Sequence, residues 1–167
     1  MNDRKKIYFL GISKIKSDSE KFFDEISGKL VPNYERYYIT KDKEIGESRK
    51  DIDGKCLICD VRKYAFPNES AIFVPQASFW SEDISLSWLE RYVKFAELLF
   101  SRGIKDIYFA YIEEDARCWN LPPELFLTQI EVAFRDRGYV LTEIKYKDKE
   151  KYEDEDKTIL KVSLPWQ

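Results

Sequence analysis

A continuous apolar strand set directly between two long helical patterns constrains this chain most. Ile104–Ile112, IKDIYFAYI, has too few polar residues to leave either face wet, so it reads as a strand buried on both sides. Upstream, a 3.6-residue pattern from about Asp83 to Arg102 predicts a helix, capped by Ser81 or Asp83 and closed by Gly103. Downstream, Asn120 and the prolines of NLPPEL open a second helix that Gly138 ends. A buried strand joined to its neighbours through helices belongs in a parallel sheet with right-handed crossovers.

The rest of the chain extends the pattern. KKIYFLGIS, Lys5–Ser13, reads as a buried first strand. Ser17 with Glu20 forms a capping box for a helix that buries Phe22, Phe23 and Ile26 and stops at Gly28. YERYYIT, GKCLICDVRKY and SAIFVP give further strands, with Lys41–Lys50 as a loop or hairpin tip and Pro75 as a strand end. YVLTEIKY and KTILKVSL alternate apolar and polar residues around an acidic turn, the pattern of a C-terminal β-hairpin. The expectation is an α/β fold: one domain over residues 1–167, with a mixed, mostly parallel sheet of about five to six strands and three packed helices.

Length and composition narrow the class. With 167 residues the chain can bury one full core. No apolar run reaches the roughly 18 residues of a membrane span. The opening MNDRKKIYFLGIS lacks a signal-peptide core and cleavage site, and three cysteines are too few for a disulfide framework. A cytoplasmic protein is expected. The net charge of −3 is spread through mixed signs, which excludes the basic footprint of a nucleic-acid binder. There is no histidine, so the commonest general base, zinc ligand and nucleophile activator are absent. Neither a Gly-x-Gly-x-x-Gly nor a Gly-x-Ser-x-Gly pattern occurs.

Two clusters could still carry chemistry. Cys56 and Cys59 have the spacing of a redox or metal motif, but they lie within a strand, where residues three apart face opposite ways; with Cys118 they make three thiols and no tetrahedral set. Glu113, Glu114 and Asp115 follow the Ile104–Ile112 strand at its carboxyl end, where open α/β sheets bind ligands, and with Asp60 they could hold Mg²⁺ in a metal-dependent hydrolase or nuclease. Glu143 and Lys145 form a Glu-x-Lys pair on one strand face.

The main helix carries two apolar stripes, Leu86, Leu89, Val93, Ala96 and Phe100, and beside them Trp88, Tyr92, Phe95 and Leu99. Their arc is about 160° wide, against the roughly 100° that docking on a sheet needs. The second stripe must then meet another element, a second copy in a homodimer, or a protein partner.

Ser78, Phe79, Trp80, Ser87, Trp88 and Leu89 carry a resemblance, spanning about Val74–Phe100, to bacterial contact-dependent growth-inhibition immunity proteins. The resemblance implies a small acidic protein without enzymatic activity or cofactor that binds and neutralises one toxin domain. Acidic patches would steer such a protein to the basic cleft of a nuclease toxin. The expected partner-binding residues are Trp80, Glu82, Asp83, Trp88, Tyr92, Glu113, Glu114, Asp115, Glu153, Asp154, Glu155 and Asp156. The metal-dependent enzyme and a homodimeric structural or regulatory subunit are the alternatives.

Overall fold

Seven strands form one sheet in the order β3-β2-β1-β4-β5-β7-β6. They are β1 (Lys6–Leu10), β2 (Glu35–Thr40), β3 (Lys55–Ile58), β4 (Ser70–Val74), β5 (Ile104–Ala110), β6 (Val140–Lys147) and β7 (Asp156–Ser163). The computed structural model describes residues 4–52, 54–75, 87–110, 123–147 and 156–165. β1 to β5 run parallel, and β7 pairs antiparallel with both β5 and β6. The α/β class, the mostly parallel sheet and the C-terminal hairpin are as the sequence predicts. Among the described residues there are seven strands rather than five or six, and four helices rather than three.

The helices are α1 (Asp18–Leu30), α2 (Lys43–Ser48), α3 (Trp88–Ser101) and α4 (Pro123–Arg135). A side-chain oxygen accepts from a backbone N–H at the start of three of them: Ser17 from Glu20 in α1, Asp42 from Ile45 in α2, and Ser87 from Glu90 in α3. α2 falls where a loop was expected, because Asp42 caps a short polar turn with no apolar stripe to announce it. α1 runs past Gly28 to a cap at Val31, whose N–H donates to the Ser27 carbonyl. α3 is capped by Ser87; the alternative caps Ser81 and Asp83 lie outside the described residues.

Alternation along the strands builds two cores, one on each face of the sheet. Ile7, Phe9, Phe73 and Tyr108 meet Phe22, Phe23 and Ile26 of α1 on one face. Tyr8, Leu10, Ile72, Val74, Ile107 and Phe109 meet α3 and α4 on the other. Being covered on both sides is why these strands read as unbroken apolar runs. Cys56, in β3, packs against the first core, and Cys59, one residue beyond the end of β3 and so not within a strand as expected, packs against the second, so the two thiols lie on opposite faces of the sheet. No helix among the described residues is long and apolar enough to cross a membrane.

Candidate functional site

From β1 the chain crosses through α1 to β2 on one side, while β4 lies against β1 on the other. That divergence is a topological switch point, and open α/β sheets bind their ligands at such a point, outside the carboxyl ends of the strands. Gly11 is the first residue beyond β1. Its φ is +88°, its N–H donates to the Ile39 carbonyl at 3.0 Å, and a Cβ built on it would meet nothing within 4 Å among the described residues. The turn therefore needs glycine for its conformation. Ile12 is buried and anchors the segment, whereas Ser13, Lys14 and Ile15 are exposed; the Ser13 hydroxyl donates to the Ile15 carbonyl at 2.6 Å.

A buried ion pair underlies this loop. Arg49, which caps the C-terminus of α2, donates to both carboxylate oxygens of Glu20 at 3.1 and 2.5 Å and to the Ser13 carbonyl at 2.7 Å. The Arg49 and Glu20 side chains are 4% and 1% exposed. Asp51 closes the arrangement from outside, accepting from Arg49 at 2.7 and 3.0 Å. These carboxylate hydrogen bonds push the guanidinium still further above its usual pKa, and Arg49 in turn lowers that of Asp51.

Two carboxylates stand at the neighbouring strand ends. Asp42 follows β2, exposed, and caps α2. Asp60 follows β3, where it accepts from the Arg62 backbone at 3.0 Å and from the Arg62 guanidinium at 3.0 and 2.7 Å. Those bonds hold its pKa at about 2, against the usual 3.8. Asp60 is thus an anion throughout the ordinary pH range, at the carboxyl end of β3.

Of the residues predicted to meet a partner, Trp88 is half-buried and stacks on Phe126 of α4, ring centroids 5.4 Å apart. Tyr92 is 1% exposed and lies among Trp88, Phe109 and Phe126. Phe95 and Leu99 are buried as well, so the second stripe of α3 is consumed inside the chain by β5 and α4. Trp80, Glu82, Asp83, Glu113, Glu114, Asp115, Glu153, Asp154 and Glu155, together with Cys118, lie outside the described residues. Asp156 opens β7 opposite Lys147. Glu143 and Lys145 are exposed on the edge strand β6. Among the described residues no group of three or more Cys, Asp or Glu could hold a metal.

The sequence reading missed Gly11, Asp42 and the Arg49–Glu20 pair. A glycine directly after a buried strand was the available signal for the first. The pair joins residues 29 positions apart and has no local signature.

No family model matches this sequence, and no curated protein matches it significantly. Comparison of structures does find neighbours. The methyltransferase domain of bacterial CtHen1-C superposes with a TM-score of 0.55 at 12% identity, covering 97% of this chain and 90% of that one. The plantazolicin methyltransferase BpumL in complex with SAH superposes at 0.55 and 10% identity, over 96% and 76%. The N-methyltransferase NodS from Bradyrhizobium japonicum WM9 gives 0.50 at 14% identity, over 97% and 86%. The domain has a Rossmann-like methyltransferase fold.

This overturns the resemblance to growth-inhibition immunity proteins. That resemblance rested on one segment, whose described part is a serine-capped helix with its rings in the core, whereas the methyltransferase architecture extends over nearly the whole chain. The reading as a non-enzymatic toxin inhibitor is corrected with it, since the fold's neighbours are methyltransferases. The alternatives, a metal-dependent hydrolase and a homodimeric subunit joined through the Trp88–Leu99 stripe, find no support either, the stripe being internal.

Proposed function

We propose that this chain is a methyltransferase that takes its methyl group from S-adenosylmethionine, bound in the crevice where β1 and β4 diverge, and that it works in the cytoplasm. The observation that carries the reading is the sheet order β3-β2-β1-β4-β5-β7-β6 with β7 antiparallel. In that architecture it superposes over nearly its whole length on an enzyme crystallised with SAH, the demethylated form of that donor.

The residues present suit such a ligand in part. Gly11 offers positive φ and a backbone that no described residue obstructs, which a nucleoside-bearing ligand needs for close approach. Asp42 and Asp60, at the ends of β2 and β3, are acceptors for ribose hydroxyls and for an exocyclic amine; carboxylate oxygens keep lone pairs beyond those used by Ile45 and Arg62. The chain departs from the full glycine pattern, because Ser13 and Lys16 stand where a second and third glycine would follow Gly11. When bound, the cofactor supplies an electrophilic methyl group on a sulfonium; the residues named here hold and orient it.

Calorimetric titration with SAH tests the proposal. One equivalent should bind with a dissociation constant on the order of micromolar, the range of ordinary enzyme ligands. At a hundredfold excess over that constant the melting temperature should rise by about 5–10 °C. Absence of both heat and thermal shift at millimolar SAH refutes it.

A further inference from the structure

We infer that the buried Arg49–Glu20 pair is a positioning pair for the ligand loop after β1, doing from beneath what a second glycine would do within the loop; the inference rests on the reading of that crevice as the ligand site. Arg49 makes five hydrogen bonds, one for each guanidinium N–H: two to Glu20, two to Asp51 and one to the Ser13 carbonyl. The bond to Ser13 spans 36 positions, from a residue at the end of α2 to the exposed loop. Glu20 belongs to the first turn of α1, so one guanidinium ties together the loop, the helix that follows it and the segment after α2.

Such an arrangement is costly to bury. An ion pair out of water returns its desolvation only when every donor finds a partner, and a better-packed apolar pair would usually serve stability as well. Stability alone therefore does not account for it. Among the described residues the loop has few other restraints: the Gly11 N–H on the Ile39 carbonyl, the buried Ile12 side chain, the Ser13 hydroxyl on the Ile15 carbonyl at 2.6 Å, and Lys16 on Asp24 at 2.5 Å. With only one glycine, the backbone from Gly11 to Ser13 gains its fixed path from the Ser13 carbonyl being held. A loop already in its binding shape spares the ligand the entropy of ordering it.

The test compares wild type with the double variant Glu20→Leu/Arg49→Met, an apolar replacement of similar volume chosen to keep the fold, and with Arg49→Lys. SAH affinity is measured by calorimetry well below each melting temperature. Amide hydrogen exchange of residues 11–16 is measured without ligand. The double variant should bind SAH about tenfold more weakly or worse, since ordering even one loop residue on binding has a cost of that size. Its amides at 11–16 should exchange faster while those in the body of α1 stay as in wild type. Arg49→Lys should not rescue either property, because one ammonium cannot bridge the planar, bidentate set of acceptors. Equal affinity and unchanged loop exchange in the double variant overturn the inference. If wild type binds no SAH, the ligand reading fails by itself, and loop exchange alone decides whether the pair positions the loop.

Discussion

Two glycines should respond to the same substitution in opposite ways. Among the described residues nothing lies within 4 Å of a Cβ built on either Gly11 or Gly28. Gly28 lies inside α1 in helical conformation, so Gly28→Ala should stabilise the protein by about 0.5–1 kcal/mol through helix propensity. At Gly11 φ is +88°, and an alanine there carries left-handed strain of about 1–2 kcal/mol. For a chain of this length that is a fall of about 2–8 °C in melting temperature, against a rise of about 1–4 °C for Gly28→Ala. The difference in function should be larger than the difference in stability. In the free protein the new methyl at position 11 meets none of the described residues, so its cost there is strain. With SAH bound it would occupy the space the ligand requires, and the dissociation constant should rise at least about tenfold, or about 1.4 kcal/mol. Thermal melts and calorimetric titration of both variants, the latter at a temperature where each is fully folded, give the two quantities separately. The reasoning is refuted if Gly11→Ala loses melting temperature yet binds SAH like wild type, or if Gly28→Ala weakens binding equally.

Two further perturbations bear on the frame around the site. Asp60 has a depressed pKa, so its contribution to stability is complete above its ordinary value of 3.8 and is lost as the pH falls toward about 2. Asp60→Asn should therefore cost about 1–2 kcal/mol near neutral pH in urea unfolding, and the gap should close near pH 2; a gap unchanged in acid would show that charge is not the cause. Gly103 has φ +111°, and a Cβ there would lie 2.4 Å from the Phe66 carbonyl oxygen, on a backbone fixed by the Phe66 N–H to the Arg102 carbonyl at 2.8 Å. Gly103→Ala combines strain with backbone overlap and should lower the melting temperature by about 5–10 °C; a loss under about 2 °C would show that the α3–β5 turn can shift.

The central strands β1, β4 and β5 were legible because a sheet covered on both faces makes each a continuous apolar run, and the hairpin strands β6 and β7 because they alternate apolar and polar residues. Their order was not. Nothing in IKDIYFAYI or SAIFVP says that β4 sits beside β1 instead of beyond β3, since that choice lies in the path of the crossovers. The start of α3 was ambiguous because Ser81, Asp83 and Ser87 are all chemically sound caps. Of the three destinations the wide apolar arc left open for its second stripe, another element of the same chain is the one the structure shows. A helix lodged between a sheet and a second helix needs two stripes, and Trp88 stacked on Phe126 with Tyr92 against Phe109 shows where each one goes. Internal architecture therefore accounts for the aromatic richness of α3 that had suggested a partner.

The sequence carries no Gly-x-Gly-x-x-Gly signature, and the structure separates what that signature encodes. Its glycines serve a tight turn, close approach of backbone to ligand, and close packing of the following helix on the strand. Gly11 serves the first two, with its positive φ and its open side. The third falls to α1, whose first turn buries the small side chain of Ser19 and carries Glu20 into the ion pair with Arg49. A motif written as consecutive residues cannot register a function moved to position 49, because the sequence separation is set by α1, β2 and α2 together. What the missing glycines removed was the local encoding of the crevice; the crevice itself follows from the divergence of β1 and β4, which the strand order alone imposes.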